Sequence, residues 1–561
     1  MVRVVTFIMS CLLCVSCGAR TIIVDNDHPA DFNNIQTAID SSSEGDIIEV
    51  QPGTYKGHGN RDIDFKGKSI TICSAAPDDS NIVAATIIDC NGEWLNGHRG
   101  FYFHNDEDSN SILDGLTIRG GLAWGSDGGG ILIENSSPMV RNCVISGNSA
   151  HFNMVVGGRG GGICLKNSNA KIINCQIAEN SSEHDYGGGI SCINNSSPTI
   201  NDCIIVNNSS DYGGGISCEG DNSCPLIINC TVLENSAFEN GAGIYCFASN
   251  PTIQNCTISG NAAGDGAYGY GHGGGIGINE GNPVIKNCVI SGNYASVSGG
   301  GIYSGTYENL SNLSVTNCTI VQNYAGYNDY GTEGGGGIAC YYTSANITNS
   351  ILWNNTAVLS GPQIAIFTNP SWPSTLRISY CNIQGGQTDV YGSTLIWQAN
   401  SIESDPYFVQ PGYWVINPDA PEYSNNRVWI NTNSDYHLKS EGWRFDIDTG
   451  FWTWDNVTSR CIDAGNPGCN PVDEPLSNDY NRINMGAYGG TAQASIPPHN
   501  WALLADLNND GIVNLADYAH HVAEWNQSQE CQCGDLNRDG IIDFIDLTLL
   551  LDDWLMITTW N

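Results

Sequence analysis

The stretch "DYGGGISC" occupies residues 185–192 and returns unchanged at residues 211–218, 26 residues on. It belongs to a longer array. A glycine-rich run ends in an isoleucine at Ile131, Ile163, Ile190, Ile216, Ile244, Ile276, Ile302 and Ile338. Each is followed by a second mark, an apolar residue, a spacer and Asn-Cys or a variant: "VRNC" ending at Cys143, "IINC" at Cys175, "INDC" at Cys203, "IINC" at Cys230, "IQNC" at Cys256, "IKNC" at Cys288, "VTNC" at Cys318 and "ITNS" at Ser350. An asparagine always stands five residues further on (Asn148, Asn180, Asn208, Asn235, Asn261, Asn293, Asn323, Asn355), and an apolar residue always stands two further on.

Two steps from cysteine to the apolar residue is the period of a strand with one face buried. Three steps from Ile253 to Cys256 break that alternation, and one left-handed residue restores it. Asn255 stands there, and asparagine tolerates that conformation. Successive marks lie 26 to 32 residues apart, room for three short strands and three turns. The predicted fold is mainly β: a right-handed parallel β-helix in which like residues stack on like, about 4.8 Å per coil. The rival leucine-rich solenoid needs a helical periodicity that is absent.

The chain has 561 residues, too many for one globular core, with 67 glycines and a net charge of −38. That charge excludes nucleic acid and anionic membrane surfaces as partners and suits a calcium-rich exterior. Residues 1–19 read as an export signal: Arg3, an apolar run over residues 4–15, and small Cys17 and Ala19 before the cut. A lipoprotein cysteine at Cys17 is the alternative. No later stretch is long and apolar enough to be a membrane helix. The expected location is secreted or at the cell surface, and the expected state is a monomer.

Of the 23 cysteines, three (Cys11, Cys14, Cys17) fall in the signal. Cys143 through Cys318 form one inward column, and Cys192, Cys218, Cys246 and Cys340 form part of a second. Reduced stacks are the favoured reading over disulfides between coils, because parallel side chains reach the disulfide dihedral poorly. Short Cys-x-x-Cys pairs of the zinc type are absent.

Residues 32–57, "FNNIQTAIDSSSEGDIIEVQPGTYKG", resemble the opening of pectate-lyase-like β-helix proteins, in which an amphipathic segment caps the first coil. The "GGGI" and "IxxN" marks resemble those of polymorphic outer-membrane proteins, with isoleucine for phenylalanine and without a terminal barrel. The solenoid is expected over residues 20–400 and an irregular capping region over 401–495. The latter, with "RCIDAGNP" and "NRINMGAYGGTAQAS", resembles the end of choice-of-anchor surface proteins. Its Trp443, Phe451, Trp452 and Trp454 are expected to close the open end of the solenoid, sugar stacking being the alternative.

After a linker at 496–502, residues 503–556 carry "DLNNDGIVNLAD" and "DLNRDGIIDFID". Asp506, Asn508, Asp510, Asn514 and Asp517 place oxygens at loop positions 1, 3, 5, 9 and 12, with the carbonyl of Ile512 at 7. Asp535, Asn537, Asp539, Asp543, Asp546 and the carbonyl of Ile541 do the same in the second loop. Hard oxygens around a tight loop predict two calcium ions. Position 12 is aspartate and each loop leads into one helix, which resembles a type I dockerin; the basic pair usual on its partner-facing helix is missing. The resemblance implies extracellular assembly on a cohesin-like protein. A calcium-folded terminal clasp is the alternative.

Between the ladder asparagine and the next "GGI" the spacing varies from 8 to 15 residues, so one edge carries all the variable loops. Acids and tyrosines there suit a polysaccharide or surface glycan. Asp185 and Asp211, at equivalent places on neighbouring coils, are the candidate catalytic pair, expected to stack together. Tyr186, Tyr212, His184, Arg159 and Tyr270 are the candidate substrate contacts. "GYGHGGG" around His272 contains the Gly-His-Gly of polygalacturonases without its companion motifs, so no role passes to His272. The expected activity is glycoside hydrolysis rather than elimination, since Arg159 is the only non-histidine base on the loops. The alternative is a non-catalytic, adhesin-type surface protein.

Overall fold

The computed structural model describes residues 19–94, 96–152, 157–264, 270–305, 311–326, 334–368, 374–392, 394–398, 400–416, 427–471, 473–475, 482–499, 501–525 and 532–559. The export signal therefore lies almost wholly outside the described residues. So do the loop residues Asp265, Tyr268, Tyr327, Asp329, Tyr330 and Glu333.

One coil shows the plan. Lys171–Ile173 belongs to the first sheet, Gln176–Ala178 to the second, Ser181–Tyr186 to the third and Ile190–Ile193 to the fourth, before the chain returns to the first sheet at Thr199–Asn201. The four parallel sheets hold 14, 12, nine and 12 strands. The third sheet was not expected. Its strands are mostly two or three residues long, and Ala150, Ser182, Ser210, Ala237, Ala263, Ala295 and Ala325 point inward from them. A small side chain two places after each ladder asparagine is what lets the chain turn so tightly there.

The first bend is as predicted: Asn142, Asn174, Asp202, Asn229, Asn255, Asn287, Asn317 and Asn349 all have φ between 49° and 55°. The second bend falls one residue earlier than expected. Glu179, Asn207, Glu234 and Gln322 take the left-handed conformation, and the ladder asparagine after each is freed to turn inward. There Asn208 Oδ1 accepts the backbone N–H and the Nδ2 of Asn180, both at 3.0 Å. Its own Nδ2 donates to the carbonyl of Ile177 and to Asn235 Oδ1. The third bend uses the first glycine of each run: Gly187 has φ 71°, and a Cβ there would lie 2.5 Å from the Ile190 carbonyl.

Isoleucine columns and the Cys143–Cys318 column fill the continuous core, and the described cysteines carry free thiols. The helix Ile35–Ser41 closes the first coil. Asn34 caps it by accepting the Thr37 N–H, and Ile35, Ala38 and Ile39 are buried. At the other end Leu395 and Trp397 pack against the last core residues.

Trp443, Phe451, Trp452 and Trp454 do not close the solenoid. They sit on the hairpin Arg444–Asp446/Phe451–Thr453, with Phe451 74% and Trp454 66% exposed. The region after residue 401 instead lies along the flank. Trp414 Nε1 donates to the Gln322 carbonyl (2.7 Å), Trp429 Nε1 to Ser259 Oγ (2.9 Å), and Asn287 Nδ2 to the Gly489 carbonyl (2.6 Å). A Cβ on Gly292 would stand 2.0 Å from the Trp429 ring, so the bend glycine is also the seat of the clasp.

The expected linker is tied down as well: Ile496 bridges to Trp443, and Trp501 packs on the cluster containing Tyr380 and Cys461. The tail helices are Leu515–Ala523 and Phe544–Asp552. The fourth residue of each preceding loop reaches the body: Asn509 Nδ2 donates to the Asn400 and Ala464 carbonyls, and Arg538 Nε to the Pro467 carbonyl. Buried Arg482 donates to the Asp506 carbonyl. Among the described residues no helix is long and apolar enough to cross a membrane.

The ladder yields a stability test. Asn235→Ala leaves the buried Asn208 N–H and Nδ2 without their acceptor. A loss of at least about 3 kcal/mol is expected in urea unfolding, at 1–3 kcal/mol per unsatisfied group. Leu226→Ala, on the outer face, should cost less than about 1 kcal/mol.

Candidate functional site

The third sheet's strands run out over the outward face of the fourth. Along that face the in-register column is Tyr102, Leu132, Cys164, Ser191, Ser217 and Tyr245. Beside it Tyr186 and Tyr212 stack with ring centroids 4.9 Å apart at 22°, and Tyr245 continues the stack 5.2 Å from Tyr212. Arg159 lies over the Tyr186 ring, 5.6 Å from its centroid. Its Nε is 3.4 Å from Asp185 Oδ1 and its guanidinium nitrogen 3.6 Å from Glu219 Oε2. The Tyr212 hydroxyl donates to Glu239.

Burial pushes the Glu219 carboxyl up to about 7 and Asp185 up to about 6, against the pull of Arg159. Burial alone would lower Arg159, but Glu219 and Asp185 outweigh it and hold the guanidinium charged. The site thus holds a fixed cation between two carboxyl groups that exchange protons near neutrality, with a row of phenol faces alongside.

Asp185 and Asp211 do not share partners. The strand register runs Ser182↔Ser210 and then Tyr186↔Tyr212, so three residues on one coil face a single residue on the other. The bulge over Glu183, His184 and Asp185 lets the tyrosines align and turns the aspartates to different neighbours. Asp185 meets Arg159, whereas Asp211 Oδ2 lies 3.8 Å from Nδ1 of exposed His184. Tyr270 is 48% exposed beside residues outside the described set. Sequence reasoning missed Glu219, Glu239 and Tyr245. Glu219 directly follows the second "DYGGGISC", where the first copy continues with Ile193; the mismatch was the available signal. His272 is held by Ser298 at 2.7 Å against the Tyr303 ring, and burial lowers it to about 4, so it is uncharged.

In the tail, Asp506 Oδ1 and Oδ2 accept the Asp510 and Gly511 N–H groups, and Asp517 accepts those of Asn508 and Asn514. Asp535 and Asp546 repeat the pattern with Asp539, Gly540, Asn537 and Asp543. All side-chain donors on the inner side of both loops are oxygens, the set a hard cation takes. Asn508 Nδ2 bonds Asp510 Oδ2 at 2.9 Å, and among the described residues no three His, Cys, Asp or Glu side chains converge as a metal cluster. The donor chemistry fits calcium; the side chains as placed bond to one another and to loop amides.

The family model described as "Right handed beta helix region" matches residues 69–232 and 226–404. Among curated proteins none matches the sequence. Among solved structures the chain is similar to pectate lyase Pel9A, at 14% identity and TM-score 0.38, over 84% of this chain and 96% of that one. It is also similar to XylC in complex with xylose, at 9% identity and TM-score 0.36, over 83% and 98%. A third is the mannuronan C-5 epimerase A-module of Azotobacter vinelandii, at 13% identity and TM-score 0.26, over 66% and 95%.

The raised carboxyls predict a pH dependence. The unfolded chain releases these protons near 3.8 and 4.5, the folded protein near 6 and 7. The stability they contribute is therefore complete below about pH 4 and is lost as pH rises through 6 to 7. Glu219→Gln cannot ionise, so its melting temperature should exceed that of the wild type at about pH 8 and lose that advantage near pH 4. A difference that does not change with pH would contradict the assignment.

Proposed function

The chain belongs to the right-handed β-helix family, and from that premise we propose that it binds a polysaccharide along the loop edge and hydrolyses it between Asp185 and Glu219. One observation carries the reading: the Tyr186–Tyr212–Tyr245 stack lies beside two half-buried carboxyl groups that share one guanidinium. Phenol faces stack on sugar rings, and glycoside hydrolysis asks for one protonated and one ionised carboxyl. Glu219, with the higher affinity for its proton, gives it to the leaving glycosidic oxygen. Asp185 takes the proton of the attacking water, and Arg159 keeps the two carboxyls apart in charge state. Elimination would need a base to remove a ring proton, and Arg159, held charged by its two neighbours, does not supply it. Asp211 with His184 lies at the rim of the site.

The apolar start of the chain supports export, and the acidic composition suits the exterior. Each tail loop takes one calcium ion: Asp506, Asn508, Asp510, Asn514, Asp517 and the Ile512 carbonyl in the first, and Asp535, Asn537, Asp539, Asp543, Asp546 and the Ile541 carbonyl in the second. The exposed Leu515, Val522, Phe544 and Ile545 on the two helices support a protein partner of the cohesin kind.

A panel of polysaccharides scored for binding and for released ends tests the first reading. Tyr186→Ala with Tyr212→Ala should weaken binding at least several-fold, at about 0.5–1.5 kcal/mol per stacking face. Glu219→Gln should lose roughly a hundredfold or more in turnover while binding persists. Binding without turnover leaves the adhesin-type alternative, and unsaturated ends would establish elimination instead.

Calorimetric titration of the full chain tests the second. Two calcium ions are expected, and Asp506→Ala with Asp535→Ala should abolish both. Chelation should lower the melting temperature of the C-terminal flank as well as the tail, because the loops are tied to residues 400 and 464–467.

A further inference from the structure

A second cavity, of about 220 Å³, opens on the same edge towards the N-terminus, among residues given no role above. Asp62, His98, Arg99, Trp124 and Ser126 line it. Arg99 is the unusual member. The other arginines Arg20, Arg119, Arg141, Arg159 and Arg444 each lie within ion-pair distance of an acid. The Arg99 guanidinium donates to Ser126 Oγ at 2.9 Å and covers the Tyr102 ring at 5.3 Å, and among the described residues no carboxylate lies within ion-pair distance of it.

The nearby acid is already engaged. Asp62 Oδ2 meets His98 Nδ1 at 2.6 Å, and Asp62 Oδ1 accepts the backbone N–H of Arg99 at 3.0 Å. In a chain with 58 acidic residues and 20 lysines and arginines, a partly buried guanidinium left to a hydroxyl and a ring face is a vacant anion seat. Beside it, Trp124 presents an indole backed by Trp94, with ring centroids 3.9 Å apart. A cation, an indole face, an imidazole and a hydroxyl around a space below the roughly 300 Å³ of drug-sized pockets suit a single charged ring.

The cavity is continuous with the groove. Arg99 stacks on Tyr102, which heads the outward column running through Leu132 and Cys164 to Ser191. Those three coil steps cover about 14 Å, a distance one polysaccharide spans.

We propose that this cavity is a subsite for an anionic sugar unit, its carboxylate or sulfate ester held by Arg99 and its ring face laid on Trp124. The proposal rests on the polysaccharide reading of the groove and adds to it a charge preference. The overall negative charge does not oppose it, because at physiological salt the field of distant acids is screened beyond about 8 Å.

The test is calorimetric binding of three tetrasaccharides: a galacturonate, a sulfated carrageenan and a neutral cellotetraose. Wild type should bind at least one anionic arm roughly tenfold or more tighter than the neutral one, as a hydrogen-bonded charge pair gives. The arm that gains identifies the anion. Arg99→Met should remove that preference and leave neutral binding unchanged, whereas Arg99→Lys should keep part of it. Trp124→Ala should weaken all bound arms alike. Equal affinity for the three arms in the wild type, or a preference that survives Arg99→Met in a variant with wild-type melting behaviour, overturns the proposal while the groove reading stands. Binding of none of the three overturns both.

Discussion

Every coil must set its chain down in register on the one beneath, about 4.8 Å away, and a row of buried asparagines enforces this. Each side chain closes hydrogen bonds to its own coil and to both neighbours, so none of its polar atoms is left over. A buried amide that missed its partner would cost more than any single aliphatic contact supplies. The spacing from cysteine to asparagine therefore never changes along the array, since one inserted residue would orphan two rungs. Freedom to vary survives only between the ladder and the glycine run, where the chain leaves the core and loops over the edge.

That division explains the candidate site. The tyrosines align because they stand at the last in-register position before the glycine turn. The aspartates diverge because the extra residues of the longer strand are absorbed in a bulge just before it. Once turned toward Arg159, Asp185 and Glu219 sit in a half-buried pocket where ionising both is unfavourable. A rigid scaffold thus holds an electrostatically unsettled group.

What could be read in the sequence follows the same line. The isoleucine and cysteine columns, the left-handed asparagines and the capping helix were legible because burial repeats them at fixed spacing. The third sheet was legible in principle from its alanine and serine column, but its strands are too short to show a period. Glu219 and Arg99 were not legible as site residues: each occurs once, faces outward and acquires its character from neighbours several coils away. The tryptophans of the 443–454 hairpin misled because aromatic content was taken as a sign of burial. Trp414 and Trp429 seat the clasp, by bonds from their indole N–H groups that no spacing announces.

The tail meets the body through side-chain donors on loop residues, Asn509 and Arg538, and through Arg482 and Tyr380 reaching back to loop carbonyls. These bonds lie side by side on the flank. A pull on the tail therefore loads them together, in shear, and not one coil at a time as a pull on a fraying end would. The solenoid is gripped from its side, so it withstands tension as a riveted beam does, while its stacked coils, held by hydrogen bonds along the long axis, carry almost none of the load.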